Sequence, residues 1–311
     1  MAHLLQKAFF KHDLVYFDKN IRLERRTRTR RKKGVRCAGL YSMKLTMLGT
    51  GNALVTEYYN TCFLMEDNGR YFLVDGGGGN QLLHRLKEAG ADWKQIRDIF
   101  VTHKHLDHIM GIFWMIRLIC QSMKQGQYEG EARIFAHDEV IRILTEVSGM
   151  LLQKSQIDFI GKRLFLIPVE DGETREIIGH PITFFNIHST KAKQFGFTMD
   201  LSGGRKLTCC GDEPFQECER KYAQGSDWLM HEAFCLKAEA DQFHPYEKHH
   251  STAADACQAA EELGVKHLIL YHTEEKNRAN RRERYMDEGK NYYHGDLRIP
   301  EDMETISLDE E

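Results

Sequence analysis

The segment THKHLDH, at positions 102–108, concentrates side chains that can bind metal ions. His103, His105, Asp107 and His108 lie within six residues of one another. Neutral imidazole nitrogens and carboxylate oxygens are ligands that zinc and similar borderline cations accept. The alternative is an ordinary loop of hydrogen-bonded polar residues. However, four such groups crowded together without a cation would lose hydration and gain little. The spacing therefore predicts a metal site, and it is dense enough to serve two cations.

Three further candidate ligands follow strand-like segments. His188 ends ITFFNIH, Asp212 follows KLTCC, and His272 ends HLILYH. Each would sit at the carboxyl end of a strand, where α/β folds usually place their chemistry. Taken singly, each of these residues would more often be structural. Taken together and in this order, they complete a predicted set of seven ligands.

The elements that must position these residues can be predicted from apolar runs and turn signals. Short strands alternate with helices from residue 43 onward, which favours one compact α/β domain. A DNG turn at 67–69 predicts a hairpin, and GGGGNQ (76–81) predicts close backbone packing near the metals, since its spacing matches no phosphate-binding loop. Strands are predicted at 44–48, 61–65, 71–75, 98–102, 133–136, 164–168, 181–187, 195–201, 206–210, 227–230 and 267–271, and helices at 80–92, 111–123 and 251–264.

Charge divides the chain at residue 43. Residues 1–42 hold twelve Lys or Arg and three Asp or Glu (net +9), so residues 43–311 carry 31 against 43 (net −12). The basic block RLERRTRTRRKKGVR (22–36) is of the kind that binds nucleic acid or anionic surfaces, or it has no role. We expect residues 1–42 to be a basic N-terminal extension that is flexible or lies outside the core, and 43–311 to be the catalytic domain.

Composition also limits the cellular setting. No apolar run is long enough to cross a membrane, and the first residues do not resemble a secretory signal. The eight cysteines form no CxxC pairs, which favours buried free thiols in a reducing compartment. These features predict a cytoplasmic protein with no membrane partner.

The motifs resemble a known family. THKHLDH looks like the THxHxDH signature of the metallo-β-lactamase superfamily. The segments LGTGNA, HSTKAKQFGF, GDE, HEAF, HSTA and LYHTE are similar, in order, to motifs of its ribonuclease Z group. The resemblance implies that residues 43–311 form a single catalytic domain with the metallo-β-lactamase fold, an αβ/βα four-layer sandwich. One motif departs from the group's pattern. The group has the motif HEAT where this sequence has HEAF, so Phe234 stands in place of a threonine.

The resemblance also implies roles for individual residues. Two divalent cations are expected, zinc before manganese or iron. Asp107 is expected to orient the attacking hydroxide as well as to bind metal, and Glu232 and His250 are expected to assist proton transfer. The first metal would be bound by His103, His105 and His188, the second by Asp107, His108 and His272, and Asp212 would bridge them.

This site predicts a dinuclear hydrolase in which a metal-bridging hydroxide attacks phosphorus. Small phosphodiesters, including cyclic nucleotides, are the expected substrates and a homodimer is the expected assembly, because the resemblance to armless members of this group implies both. The alternative is tRNA 3′ processing, as in ribonuclease Z itself. The tRNA-processing enzymes carry a long arm between the ligand His and the bridging Asp. Here only 24 residues separate His188 from Asp212, and the acidic catalytic region does not suit RNA. Thioester or lactone hydrolysis is a further alternative, and a non-catalytic metal sensor is another.

Overall fold

The computed structural model describes residues 43–309, so the predicted extension 1–42 and its basic block lie outside the described residues. The strands are β1 Lys44–Gly49, β2 Cys62–Asp67, β3 Arg70–Val74, β4 Ile96–Phe100, β5 Ala132–Ala136, β6 Leu164–Pro168, β7 Thr174–Ile177, β8 His180–Asn186, β9 Phe195–Asp200, β10 Lys206–Cys209, β11 Trp228–Glu232, β12 His267–Tyr271, β13 Asp296–Arg298 and β14 Thr305–Ser307. The α-helices are α1 Gln81–Glu88, α2 Leu106–Lys124, α3 Asp138–Leu151, α4 Lys154–Ile157, α5 Arg220–Ala223, α6 Ala240–Phe243, α7 Ala253–Glu262 and α8 Arg281–Gly289.

Within residues 43–309 the strands form two seven-stranded sheets. Their orders are β14-β1-β2-β3-β4-β5-β6 and β13-β12-β11-β10-β9-β8-β7. The sheets pack face to face through aromatic side chains: the Phe100 and Phe184 ring centroids are 4.7 Å apart, and those of Phe72 and Phe197 are 5.8 Å apart. The main core therefore lies between the sheets.

The outer faces of both sheets are covered by helices. In β12 the buried side chains alternate: Ile269 and Tyr271 join the core between the sheets, while Leu268 and Leu270 pack in the cluster that includes α7 and α8. Helices α1, α2 and α3 cover the first sheet in the same way. This arrangement is the predicted αβ/βα four-layer sandwich, and the fold prediction is confirmed. Among residues 43–309, each helix is too short or too polar to cross a membrane.

Parallel pairing brings the candidate residues to one edge of the sandwich. Strands β3 to β6 run parallel in the first sheet, and β10 to β13 run parallel in the second. The carboxyl ends of parallel strands lie along one sheet edge, so the segments after β4, β10, β11 and β12 can converge there. These segments carry THKHLDH, Asp212 and His272, and Glu232 is the last residue of β11.

One predicted boundary beside the site was wrong. Helix α2 begins at Leu106 rather than at 111, so Asp107 and His108 lie in its first turn rather than in a loop. His105 is the extended N-cap residue. A carboxylate in the first turn is stabilised by the helix dipole, which explains how a polar ligand sequence can also start a helix.

The glycine-rich segment packs against the start of α2, as predicted. The Gly76 amide donates to the His108 carbonyl over 2.8 Å. A Cβ atom added to Gly111 would lie 1.9 Å from the Gly76 carbonyl oxygen. The two backbones therefore approach so closely that only glycine fits at position 111, and this contact fixes the helix that carries Asp107 and His108.

We expect Gly111→Ala to destabilise the protein, since the added methyl group must separate α2 from the glycine-rich segment. Overpacking of this kind costs about 1–3 kcal/mol in the free energy of unfolding. Gly149→Ala is the matched control in α3, because nothing lies within 4 Å of its added Cβ. It should be neutral or stabilise the helix by up to about 1 kcal/mol. Urea denaturation of both variants measures the difference, and equal stability would contradict the packing argument.

Candidate metal centre

Two groups of side chains at the sheet edge could each hold a metal ion. The first ligand group is His103, His105 and Asp212, and the second is Asp107, His108 and His272. In each group the ligand atoms lie within 4.8 Å of one another. Every member except His105 is buried. Six of the seven candidate ligands are thus brought together in two groups, and their assignment to metals stays a prediction.

Asp212 lies between the two groups. Its Oδ2 atom is 3.6 Å from His103 Nε2, 3.4 Å from His108 Nε2 and 3.7 Å from His272 Nε2. Gly211, with φ of 81°, makes the tight turn that directs the chain from β10 to Asp212. One carboxylate oxygen therefore faces ligands of both groups.

Hydrogen bonds at the far side of each ring orient the histidines. His103 Nδ1 lies 2.9 Å from Thr102 Oγ1, and His272 Nδ1 lies 3.1 Å from Thr61 Oγ1. Each threonine hydroxyl donates elsewhere, to Asp75 and to the Gly51 carbonyl respectively. The hydroxyls therefore accept from Nδ1–H, so each Nε2 carries a lone pair on the side of the ligand groups. That of His103 lies 2.8 Å from His105 Nδ1.

Asp75 is a supporting residue that the sequence analysis did not identify. Its Oδ2 lies 2.7 Å from His108 Nδ1 and accepts the Thr102 hydroxyl over 2.8 Å. Its backbone has φ of 58° at the end of β3. A carboxylate behind a ligand histidine fixes the ring and makes it a better ligand. The sequence feature that could have identified Asp75 is its position, as an acidic residue directly after a buried strand at the same sheet edge.

Two observations indicate that the residues of the two ligand groups are suited to binding divalent cations. His108 Nε2 and Asp212 Oδ1 are buried and have no hydrogen-bond partner among the described residues. Buried polar atoms without a partner are costly unless something else binds them. The donor set is imidazole and carboxylate, which suits zinc, manganese or iron.

The protonation states of the candidate ligand histidines are consistent with binding of divalent cations. Burial lowers the pKa of His103 well below its usual range and the pKa of His272 to about 4, so both rings are neutral at pH 7. His108 differs: burial lowers its pKa, but Asp107 and Asp75 outweigh burial and raise it well above the usual range. The raised pKa reflects the negative charge of the carboxylates, which a bound cation would neutralise.

A carboxylate–imidazole pair lies beside the ligand groups. Glu232, fully buried, accepts backbone N–H groups from Phe234 over 3.1 Å and from Ser251. Its Oε2 atom is 3.6 Å from His250 Nδ1. The His250 ring centroid is 5.3 Å from that of His272. The pair therefore sits where a group leaving the metal centre could receive a proton.

Comparison with known proteins assigns the family. The sequence profile described as Anti-Pycsar protein Apyc1 matches residues 43–288. The chain belongs to the Anti-Pycsar protein Apyc1 family. The span that matches the Apyc1 family contains both ligand groups and the pair formed by Glu232 and His250.

This Apyc1-family chain is also similar to ribonuclease Z and its structural relatives. It is 26% identical to ribonuclease Z of Pseudomonas putida, over 86% of this chain and 97% of that protein. The metallo-β-lactamase fold protein YhfI from Bacillus subtilis has a TM-score of 0.67 and 20% identity, over 85% of this chain and 99% of that chain. The short form of human tRNase Z has a TM-score of 0.65 and 19% identity, over 86% and 99%. The Apyc1-family chain is a metal-dependent hydrolase with the metallo-β-lactamase fold.

His188 is the one predicted ligand that lies outside both groups in this Apyc1-family chain. It follows β8 with φ of 56° and an exposed side chain. It lines a cavity of about 220 Å³ together with Glu213, Tyr246 and His249. Its assignment to the first metal stays a prediction.

Lys191, in the same loop of the Apyc1-family chain, was not singled out from the sequence. Its Nζ atom is 3.4 Å from His250 Nε2 and 3.8 Å from Glu213 Oε1. Burial lowers the pKa of His105, and the charges of His108 and Lys191 lower it further. A positive charge therefore stands at the edge of the metal centre.

Proposed function

We propose that the protein hydrolyses small phosphodiesters, including 3′,5′-cyclic nucleotides. The observation that carries this proposal is the position of the Glu232–His250 pair beside two ligand groups that Asp212 joins. A phosphodiester needs an activated water on one side of phosphorus and a proton for the leaving alkoxide on the other. The site offers residues suited to both tasks.

The attack on phosphorus depends on the two ligand groups. Cations bound there would lower the pKa of water and neutralise charge on the phosphoryl oxygens. The Asp107 carboxylate, 3.3 Å from His108 Nε2, is at hand to accept a hydrogen bond from the attacking water and so to orient it. The buried positions of Asp107 and Asp212 exclude bulk water, which strengthens these electrostatic interactions.

Departure of the alkoxide depends on His250. Glu232 faces His250 Nδ1, and a carboxylate at Nδ1 stabilises the imidazolium that can give up its Nε2 proton. Two backbone amides hold Glu232 in place, so the acceptor for Nδ1 is fixed before substrate binds. We assign His250 as the general acid and Glu232 as the residue that positions it.

Lys191 is suited to binding the phosphate of the substrate. Its ammonium group approaches the nitrogen of His250 that would face the leaving oxygen. An anionic phosphodiester between Lys191 and the ligand groups would replace this contact between a cation and an imidazole by a contact between opposite charges. The lysine would therefore bind substrate without taking part in proton transfer.

We expect Lys191→Met to lower kcat/KM for a phosphodiester by about 10- to 100-fold, the usual range for losing one hydrogen bond to a charged group. Lys193→Met is the matched control in the same loop, because Lys193 pairs with the exposed Asp138 over 2.5 Å. Steady-state kinetics of both variants measure the effect. Unchanged kcat/KM in Lys191→Met would show that this ammonium group does not contact substrate.

The preference for small substrates is supported by the connection between His188 and Asp212. Apart from short loops it contains only the hairpin of β9 and β10, so these described residues leave no room for a protruding arm. The net charge of −12 over residues 43–311 also disfavours RNA. Phosphate contacts provide much of the affinity for nucleic acid and require a basic surface.

The second candidate is tRNA 3′ processing. It is favoured by the similarity to ribonuclease Z of Pseudomonas putida, which extends over 97% of that protein. Both candidate functions use the same site and cleave the same kind of phosphodiester bond. They differ in the part of the protein that binds the rest of the substrate. The basic block at 22–36 is the segment of the sequence best suited to RNA.

The proposal is tested with protein that has been stripped by a chelator and reloaded with zinc or with manganese. Hydrolysis of bis-p-nitrophenyl phosphate and of a 3′,5′-cyclic nucleotide should appear only after reloading. A thioester and a lactone should react far more slowly, since their leaving groups gain less from His250. Faster thioester or lactone hydrolysis would reject the proposal.

A further inference from the structure

Glu213 is a buried carboxylate that comes directly after Asp212 and that the chemistry proposed above does not use. Its side chain is 5% exposed, and its Oε1 atom accepts a hydrogen bond from the Ser189 hydroxyl over 2.5 Å. Burying a carboxylate is costly unless hydrogen bonds or a nearby cation compensate for the lost hydration. For Glu213 both kinds of partner come from residues 187–194, the segment between β8 and β9, which we call the Lys191 loop.

Ser189 connects Glu213 to the backbone of the Lys191 loop. Its Oγ atom donates to Glu213 and accepts the backbone N–H groups of Lys191 over 3.1 Å and of Ala192 over 3.2 Å. A hydroxyl that donates once and accepts twice uses its full hydrogen-bonding capacity. Glu213 therefore helps to fix the backbone from which the Lys191 side chain extends.

Glu213 also contacts the end of the Lys191 side chain. The Nζ atom of Lys191 lies 3.8 Å from Glu213 Oε1 and 3.4 Å from His250 Nε2. The lysine side chain is only 23% exposed, so the ammonium group is held against the protein. A lysine that moves freely loses rotamer entropy when it binds a ligand. Because Glu213 fixes the ammonium group in advance, less of this entropy remains to be lost on binding.

The negative charge of Glu213 has a further consequence for Lys191. Divalent cations at the two ligand groups would repel a nearby ammonium group. A carboxylate beside the ammonium group opposes this repulsion and keeps it at the edge of the metal centre. An anionic phosphoryl oxygen then meets an ammonium group that is already in place, and the two can form a charge-assisted hydrogen bond.

We propose that Glu213 positions Lys191 to bind the phosphate of the substrate. The carboxylate acts through Ser189 and through its own charge, and it takes no part in bond cleavage. This inference rests on the proposed function and adds a specificity. Substrates with an anionic phosphoryl oxygen are preferred to neutral phosphotriesters, since only an anionic oxygen forms the charged pair with Lys191.

The first test is a double-mutant cycle with bis-p-nitrophenyl phosphate as substrate. Glu213→Ala should lower kcat/KM by about 3- to 10-fold, less than Lys191→Met, because the lysine remains but is no longer fixed. In protein that already carries Lys191→Met, Glu213→Ala should cause no further loss, because the residue through which it acts is gone. Additive losses, or a higher kcat/KM in Glu213→Ala, would overturn the positioning role.

Matched variants make the cycle specific. Glu213→Gln keeps the acceptor for Ser189 but loses the charge, so its loss should be smaller than that of Glu213→Ala. Ser189→Ala interrupts the connection to the backbone and keeps the test available if Glu213→Ala fails to fold. Glu217→Ala is the control, since Glu217 is exposed and pairs with Arg220 over 2.7 Å. Equal losses in Glu217→Ala and Glu213→Ala would overturn the proposal.

A neutral substrate gives a readout that a purely structural role would not change. Methyl bis-p-nitrophenyl phosphate has the same leaving group but no anionic phosphoryl oxygen. The loss of kcat/KM in Glu213→Ala should be several-fold smaller on this triester than on the diester. Damage to the fold or to metal binding would lower hydrolysis of both substrates alike, and equal losses would overturn the proposal.

A labelling experiment on the metal-free protein separates this inference from the proposed function. Acetylation of the Lys191 amine by acetic anhydride, followed by mass spectrometry, should be several-fold faster in Glu213→Ala than in Glu217→Ala. Lys193, in the same loop, should react at the same rate in both variants. An unchanged rate at Lys191 would overturn the inference. If no phosphodiester is hydrolysed, the proposed function fails, and this rate still decides whether Glu213 positions Lys191.

Discussion

Replacing Asp212 by asparagine should lower phosphodiester hydrolysis on the order of 10³-fold. The Oδ2 atom of Asp212 faces three histidine nitrogens, at 3.6 Å, 3.4 Å and 3.7 Å, that belong to both ligand groups. An amide of the same shape keeps the packing but removes the negative charge that two nearby cations require. The loss should therefore be accompanied by a lower metal content and not by unfolding.

Three measurements on the Asp212→Asn variant test this expectation. Steady-state kinetics give the loss of activity, elemental analysis gives the bound metal, and circular dichroism checks the fold. Asp200→Asn is the control, since Asp200 is exposed at the end of β9 and pairs in register with Lys206, at the start of β10 and away from the site. Asp212→Asn protein with full metal content and near-normal activity would contradict the shared-carboxylate geometry.

Replacing His250 by alanine should have an effect that depends on the leaving group. Loss of a general acid costs about 10²- to 10⁴-fold, and we expect this for a cyclic nucleotide, whose leaving group is an alkoxide. The p-nitrophenolate ion leaves without a proton, so hydrolysis of bis-p-nitrophenyl phosphate should fall much less. Glu232→Gln should follow the same pattern with a smaller loss, since it weakens His250 without removing it.

His249→Ala provides the control for His250. The two residues are neighbours, but His249 Nδ1 contacts Thr190 Oγ1 at 3.0 Å and its side chain is exposed. We expect this variant to hydrolyse both substrates at nearly the wild-type rate. Equal losses on both substrates in His250→Ala would mean that His250 binds substrate or supports the fold, and that the proton comes from elsewhere.

The sequence was sufficient to predict the residues that meet at the sheet edge. His103, Asp212 and His272 follow short buried strands, and parallel strands bring their carboxyl ends to one edge whatever the details of the loops. Asp212 after β10 and His272 after β12 illustrate this rule. The helix cap at Thr252 depends on a local pattern in the same way, because the threonine and Asp255 form a capping box.

Other features depend on contacts that a linear pattern does not reveal. The start of α2 was placed too late, since the polar residues of its first turn, which are also candidate metal ligands, hid the apolar periodicity. Asp75 becomes recognisable only when its contact with His108, 33 positions away, is known. The hydrogen bond between Ser189 and Glu213, 24 positions apart, joins two segments that no local pattern brings together.

The central claim, that this metal site serves small phosphodiesters, is tested most directly by one comparison. A single metal-reloaded preparation of the full chain is assayed for kcat/KM on a 3′,5′-cyclic nucleotide and on a 3′-extended tRNA, with Asp212→Asn as the blank. We predict hydrolysis of the cyclic nucleotide that the substitution lowers on the order of 10³-fold, with the tRNA left intact. Trimming of the tRNA with the higher kcat/KM would contradict the claim and assign the site to RNA processing.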